Sequence, residues 1–143
     1  VSSGRVVALH VKPQAGTQVA VEEVLAVEGK GLEGHKDFGR RHRQVLFLAT
    51  ETLADFGYAP GDLREQILVE LPGLQQLPAG SKLQVGEAVF FIEADCEPCS
   101  GMAARLDEDA TEFKSKTAGR RGMLAGVTRS GRVRVGDAVA VLS

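Results

Sequence analysis

The sequence predicts a mostly β protein, closed into a distorted β-barrel with a few short helices. Three observations carry that expectation. Short apolar runs rich in Val, Ile, Leu and Phe recur along the 143 residues, 17 glycines punctuate them, and segments with helical spacing are few. Turn signals spaced this way mark sandwiches and barrels. Closure removes the unpaired edges that so many short strands would otherwise expose.

Taken in order, "GRVVALHV" (4–11) reads as the first strand, with His10 as a strand residue. "VEEVLAVEG", "RQVLFLA", "LREQILVEL" and "SKLQV" follow as strands. "EAVFFIEAD", "GMLAGVTR", "RVRV" and "AVAVLS" complete the set. Phe90 and Phe91 are neighbours in one strand, so they face opposite sides and at least one belongs to the core. "TETLADF" (50–56) is a helix candidate, with Thr50 as its N-cap and Glu51 in its first turn. "SGMAARLDEDATEF" (100–113) carries one more short helix. "LQVGEAVFFI" and "VRVGDAVAVL" resemble each other, and each reads as a hairpin or as a tight corner between strands. Asp62 and Asp137 follow glycines and read as turn residues. No segment reads as a linker, so a single domain spanning 1–143 is expected.

Composition narrows the function classes. A net charge of −2 gives no general pull toward nucleic acid. No run of about 18 apolar residues is present, so no membrane span is expected, and no leader is recognisable. Two cysteines are too few for a disulfide framework, and a cytoplasmic location is expected. The charge is uneven. Residues 114–134 hold seven bases and no acid, whereas residues 87–112 hold eight acids against Arg105 alone. With the "RRHR" run (40–43), the bases are either solvated surface or several walls of an anion pocket.

"DCEPCSGM" (95–102) holds both cysteines. A thioredoxin-type dithiol is opposed by Asp95 and Glu97, because nearby negative charge raises a thiol pKa. A zinc site lacks its other ligands, since no second CxxC is present and the three histidines are distant in sequence. One functional thiolate helped by distant cations remains, beside a purely structural role.

Several stretches in order resemble the MOSC family, the molybdenum cofactor sulfurase C-terminal domain, in its small standalone bacterial type. "GKGLEGHKDFGRRHRQVLFLATETL" is similar to its GLxGD…RQV stretch, and "PGDLREQI" to its PGxxREN stretch. "LPAGSKLQVGEAVF", "CEPCSGM" and "GRRGMLAGVTRSGRVRVGDAV" resemble the elements that follow. The resemblance implies the same distorted barrel and a molybdenum cofactor (molybdopterin) as ligand. It implies either a sulfur carrier or a reductase of N-hydroxylated compounds. Cys99, directly after Pro98, matches the family cysteine and would be the catalytic thiolate and molybdenum ligand, a soft donor suited to a sulfur-rich centre. Cys96 matches no family role. By the same resemblance Gly31, Gly34, His35, Arg43, Gln44, Arg64, Gln66, Arg120 and Arg121 would contact the cofactor, with Arg64 at the pterin or its phosphate. Arg120 and Arg121 would supply positive potential near the thiolate. Arg64, Arg120 and Arg121 read otherwise as plain surface or rim.

Two positions depart from the family pattern: His35 stands where the family has Asp, and Gln66 where it has Asn. His35 reads as an exposed loop residue or as an added donor. These departures motivate the alternative of a non-catalytic anion- or protein-binding barrel that has lost cofactor chemistry. A separate electron donor or sulfur donor protein is expected as partner. The aminotransferase-like domain of full-length sulfurases has no counterpart here, so no pyridoxal phosphate is expected in this chain.

Overall fold

The computed structural model describes residues 3–14 and 16–142. Its strands are β1 (Ser3–Val11), β2 (Val19–Val21), β3 (Glu23–Val27), β4 (Gly31–Leu32), β5 (Val45–Ala49) and β6 (Ile67–Glu70). They continue with β7 (Lys82–Val85), β8 (Ala88–Asp95), β9 (Met123–Arg129), β10 (Gly131–Arg134) and β11 (Ala138–Leu142). Helices α1 (Thr50–Phe56), α2 (Ser100–Arg105) and α3 (Ala110–Thr117) and a 3-10 turn at Leu74–Gln76 complete the chain.

Seven strands close a barrel in the order β1–β6–β5–β9–β8–β7–β11, and β11 returns to β1 through Ser3↔Ala140 and Arg5↔Ala138. The expected barrel is therefore present. β2 extends the far end of β1, and β10, β3 and β4 form a small side sheet. Within the barrel, only β5 and β6 run parallel, from Phe47↔Ile67 to Ala49↔Val69. A parallel pair needs a crossover connection, which α1 and the loop after it supply.

β5 shows why the helices sit where they do. All five of its residues are buried. Alternation sends Val45, Phe47 and Ala49 into the barrel, where Phe47 meets Phe90 edge-on with ring centroids 5.1 Å apart. Leu48 points out and is covered by Leu53 of α1, Met102 and Ala103 of α2 and Phe113 of α3. Leu46 points out further along and packs with Cys96 and Leu124. A strand buried on both faces reads as a continuous apolar run, as "VLFLA" does.

Several expectations are corrected. "LREQILVEL" is a strand only from Ile67; Leu63–Gln66 is an irregular loop. α1 has the expected bounds, but its N-cap is Ala49 with no side-chain cap, and Thr50 is its first helical residue. The segment 100–113 forms two helices, because Asp107 adopts a left-handed φ of 56° and Asp109 recaps the chain by accepting from the Glu112 N–H. β2 and β4 are too short to show an alternation. Phe90 is core while Phe91 is only half-buried. Asp62 and Asp137 are turn residues as expected, their carboxylates accepting from Ala59 N–H and Arg134 N–H. Ser143 lies outside the described residues. No helix among the described residues is long and apolar enough to cross a membrane.

Candidate functional site

Outside the closed barrel, a cleft of about 330 Å³ gathers five separated segments. The exit of β1 contributes Lys12. The long loop before β5 contributes His35, Asp37, Arg40 and Arg43. The loop before β6 contributes Arg64 and Gln66, the segment after β8 contributes Cys96 and Cys99, and the turn before β9 contributes Arg121.

The cysteine segment leaves β8 at Asp95, and the Cys96 N–H donates to the Gly122 carbonyl at 2.8 Å. Cys96 is buried, and burial pushes its thiol pKa up against the pull of Arg121 and Arg43. Cys99 is exposed, and its Sγ accepts from the Met102 N–H at 3.4 Å. Both cysteines are among the residues that line the cleft.

Arg121 is the buried cation of the site, 4% exposed. One arm of its guanidinium donates from Nη2 to the Leu63 carbonyl at 2.6 Å, while Nη1 is buried with no partner. Burial lowers its pKa, and Cys96, Cys99 and Glu65 oppose that shift. The inward turn depends on Gly122, at φ 105°, where a Cβ would stand 2.5 Å from the Phe47 carbonyl oxygen. Arg120 points the other way. It pairs with Asp55 at 2.6 Å, lies over the Phe56 ring, and does not line the cleft.

Gln66 borders the cleft but is spent on the backbone. Its Oε1 accepts from the Leu46 N–H at 2.8 Å and its Nε2 donates to the Arg64 carbonyl at 2.9 Å. It thereby braces Arg64, which holds a left-handed φ of 63°. Burial, and then Arg105, lower the Arg64 pKa. Arg43 has a similar φ of 57°, and its N–H donates to Glu93 Oε1 at 2.9 Å.

His35 is buried, not exposed as the loop reading expected. Its Nδ1 accepts from the Lys12 N–H at 3.0 Å, which places the ring proton on Nε2, 3.4 Å from Asp37 Oδ2. Burial lowers its pKa despite Asp37. His35 is thus a neutral brace tying the long loop to β1, and not a free donor.

Gln44, Gly31 and Gly34 do not line the cleft. Gln44 bridges the Arg40 carbonyl (2.7 Å) and the Val127 N–H (3.0 Å), and the backbone of Gly31 lies against its side chain. Sequence reasoning missed Lys12 and Arg105, and reached Arg40 only through the basic run 40–43. Barrel closure alone brings Lys12 to the site. A second cleft of about 430 Å³ shares Lys12, Gln18 and Arg64 as walls and adds Arg105. The two clefts adjoin at these shared walls and outline a groove, with Cys96, Cys99 and Arg121 at the first and Arg105 and Asp62 at the second.

The MOSC domain pattern matches residues 34–140. The chain belongs to the MOSC domain family. Members of this family bind molybdenum cofactor. Among curated proteins none matches the sequence. Among solved structures, YuaD from Bacillus subtilis superposes with a TM-score of 0.83 at 20% identity, covering 97% of this chain and 96% of that one. YiiM from Geobacillus stearothermophilus gives 0.75 at 15%, covering 98% and 75%. YiiM from Escherichia coli gives 0.70 at 20%, covering 97% and 70%. At these identities the superpositions establish the fold.

The donor set of this MOSC domain fits an anionic, sulfur-rich cofactor. Among the described residues no three His, Cys, Asp or Glu side chains converge to hold a bare metal ion. A metal arriving with its own dithiolene needs less from the protein: one soft sulfur donor, a residue type that Cys99 supplies. The unpartnered Nη1 of Arg121 and the bases at the other end suit an anion.

Proposed function

We propose that this chain, as a single domain spanning 1–143, binds molybdenum cofactor in the groove and that Cys99 carries sulfur to it. Arg121 carries the reading. A guanidinium held out of water, with one arm fixed and the other unpaired beside two thiols, is costly unless an anion completes it. Cys99 would ligate the metal or hold a persulfide there. Lys12, Arg64 and Arg105 would take the phosphate, and Gln66 and His35 would hold the loops that present them. When bound, the cofactor supplies a redox-active molybdenum centre. The protein orients it, screens its charge and positions the thiolate.

A second reading, reduction of N-hydroxylated compounds with a separate electron donor protein, is favoured by the exposure of Cys99, which leaves its sulfur free for direct ligation. The alternative of a degenerate module rested on His35 and Gln66. Both side chains are engaged as internal braces, which removes much of its support.

The test is molybdenum and pterin content per chain after expression in a host that makes the cofactor, for the parent, Cys99→Ala, Cys96→Ala and Arg121→Leu. Near-stoichiometric content lost in Cys99→Ala and Arg121→Leu, and kept in Cys96→Ala, is expected. A folded parent without molybdenum or pterin would sink the reading. Hydroxylamine and amidoxime turnover with an artificial electron donor then separates reductase from carrier.

A further inference from the structure

We propose that Cys96 is the resolving thiol for a persulfide on Cys99, releasing the carried sulfur into the cleft as hydrosulfide. This rests on the carrier reading above. No family correspondence accounts for Cys96, and its position is unusual for an inert core cysteine. It is only 7% exposed, packed with Leu46 and Leu124, yet it borders the same cleft as Cys99 three residues on. Its backbone is pinned to Gly122, and the one polar contact of its Sγ is the Glu97 carbonyl at a long 3.8 Å. The two thiols therefore differ in kind. Cys99 is open to a sulfur donor from solution, whereas Cys96 is reached from within the cleft.

Burial raises the Cys96 thiol, so it keeps its proton until it reacts. Arg121 belongs to the wall of the same cleft and acts on both sulfurs, and its guanidinium, with Nη1 buried and unpartnered, is a cation for the anion that forms. The step balances without an added oxidant. The ionised outer sulfur of the Cys99 persulfide takes the Cys96 proton, the Cys96 thiolate so formed attacks Cys99 Sγ, the bond from Sγ to the outer sulfur breaks, and a Cys96–Cys99 disulfide forms. The outer sulfur, carrying that proton, takes the electron pair of the broken bond and leaves as hydrosulfide. A thiol or dithiol reductant restores the pair for the next cycle. The exchange converts sulfane sulfur to sulfide where the cofactor would lie.

The experiment treats the full chain with one equivalent of glutathione persulfide under anaerobic conditions. Released sulfide and the state of both cysteines are read by a colorimetric assay and intact mass. The parent is expected to release about one sulfide per chain while Cys96 and Cys99 close to a disulfide. Cys96→Ala and Cys96→Val, two variants so that one packing defect cannot mislead, are expected to retain the extra sulfur on Cys99 and release at least ~10-fold less sulfide. A parent that keeps a stable Cys99 persulfide, or Cys96 variants that release sulfide as fast as the parent, overturns the proposal and leaves the carrier reading intact. Failure of parent and variants alike to take sulfur on Cys99 overturns the carrier reading and this proposal with it.

Discussion

Two sets of polar side chains surround the cleft. His35, Gln44, Gln66 and Arg121 turn into the protein and are nearly sealed from water, while Lys12, Arg40, Arg43, Arg64 and Cys99 form an open rim. The inner set places its hydrogen bonds on backbone groups, at Lys12, Leu46, Leu63 and Val127 in distant segments and at Arg40 and Arg64 close by in the chain. The rim set is held mostly by loops; Arg40 pairs with Asp37 at 3.4 Å, Arg43 is exposed, and Lys12 and Arg64 are half-buried. The difference separates two roles that a motif merges. Inner residues hold the segments that frame the cleft, and rim residues border its opening. Arg121 alone belongs to both, since one arm braces and the other is vacant.

Arg121→Leu should break the comparison at its joint. It removes the sealed cation and leaves the Leu63 carbonyl unpaired. Cofactor content is expected to fall by about 100-fold, with a stability loss of about 1–3 kcal/mol in denaturant titration. Gln44→Leu should show a pure inner effect. Two backbone groups lose their partners, and a loss of about 2 kcal/mol is expected with cofactor content kept in the folded fraction. Arg43→Gln is the rim counterpart: about tenfold weaker cofactor retention in a dilution series, with stability unchanged within about 0.5 kcal/mol.

Acidification tests the inner set without mutation. The folded pKa of His35 lies below its ordinary 6.5, so the unfolded chain takes up the proton first. Stability contributed by neutral His35 is full above that ordinary value and is lost as pH falls through the window down to the folded pKa. His10, also lowered by burial, adds in the same direction. Urea midpoints should drop as pH falls below about 6.5, and less steeply in His35→Asn. An equal slope in that variant would remove His35 as a titrating brace. The smallest effect is expected for Arg120→Ala, an exposed pair worth less than about 0.5 kcal/mol, with cofactor content unchanged.

How much the sequence discloses also divides along this line. Every strand long enough to alternate was legible, and "VLFLA" showed a strand buried on both faces. The two related hairpin motifs were legible as turns, but their outcomes were not. β7 and β8 pair directly, from Lys82↔Phe91 to Val85↔Ala88, whereas β10 pairs with β3 and β11 crosses to β7 and β1. The turn chemistry is shared, and the neighbouring strand decides. Within the site, Cys99, Arg43, Arg64, Gln66, His35 and Arg121 do converge. Gln44, Gly31, Gly34 and Arg120 do not line the cleft, because adjacency in a motif says nothing about side-chain direction. Lys12 arrives through a contact spanning 23 residues to His35, which no local pattern encodes.

The left-handed backbones of Arg43 and Arg64 bear on how such a protein is engineered. A non-glycine residue there costs about 1 kcal/mol relative to glycine. Any procedure that ranks substitutions by fold stability alone would favour glycine at both positions. The result would be a hardier protein with a blunted groove, since each change deletes a cation that borders it. If the groove binds the proposed cofactor, arginine at an angle that suits glycine trades some robustness for ligand chemistry. Among designed or natural variants, glycine at both positions would signal a barrel that has been kept while its groove has been given up.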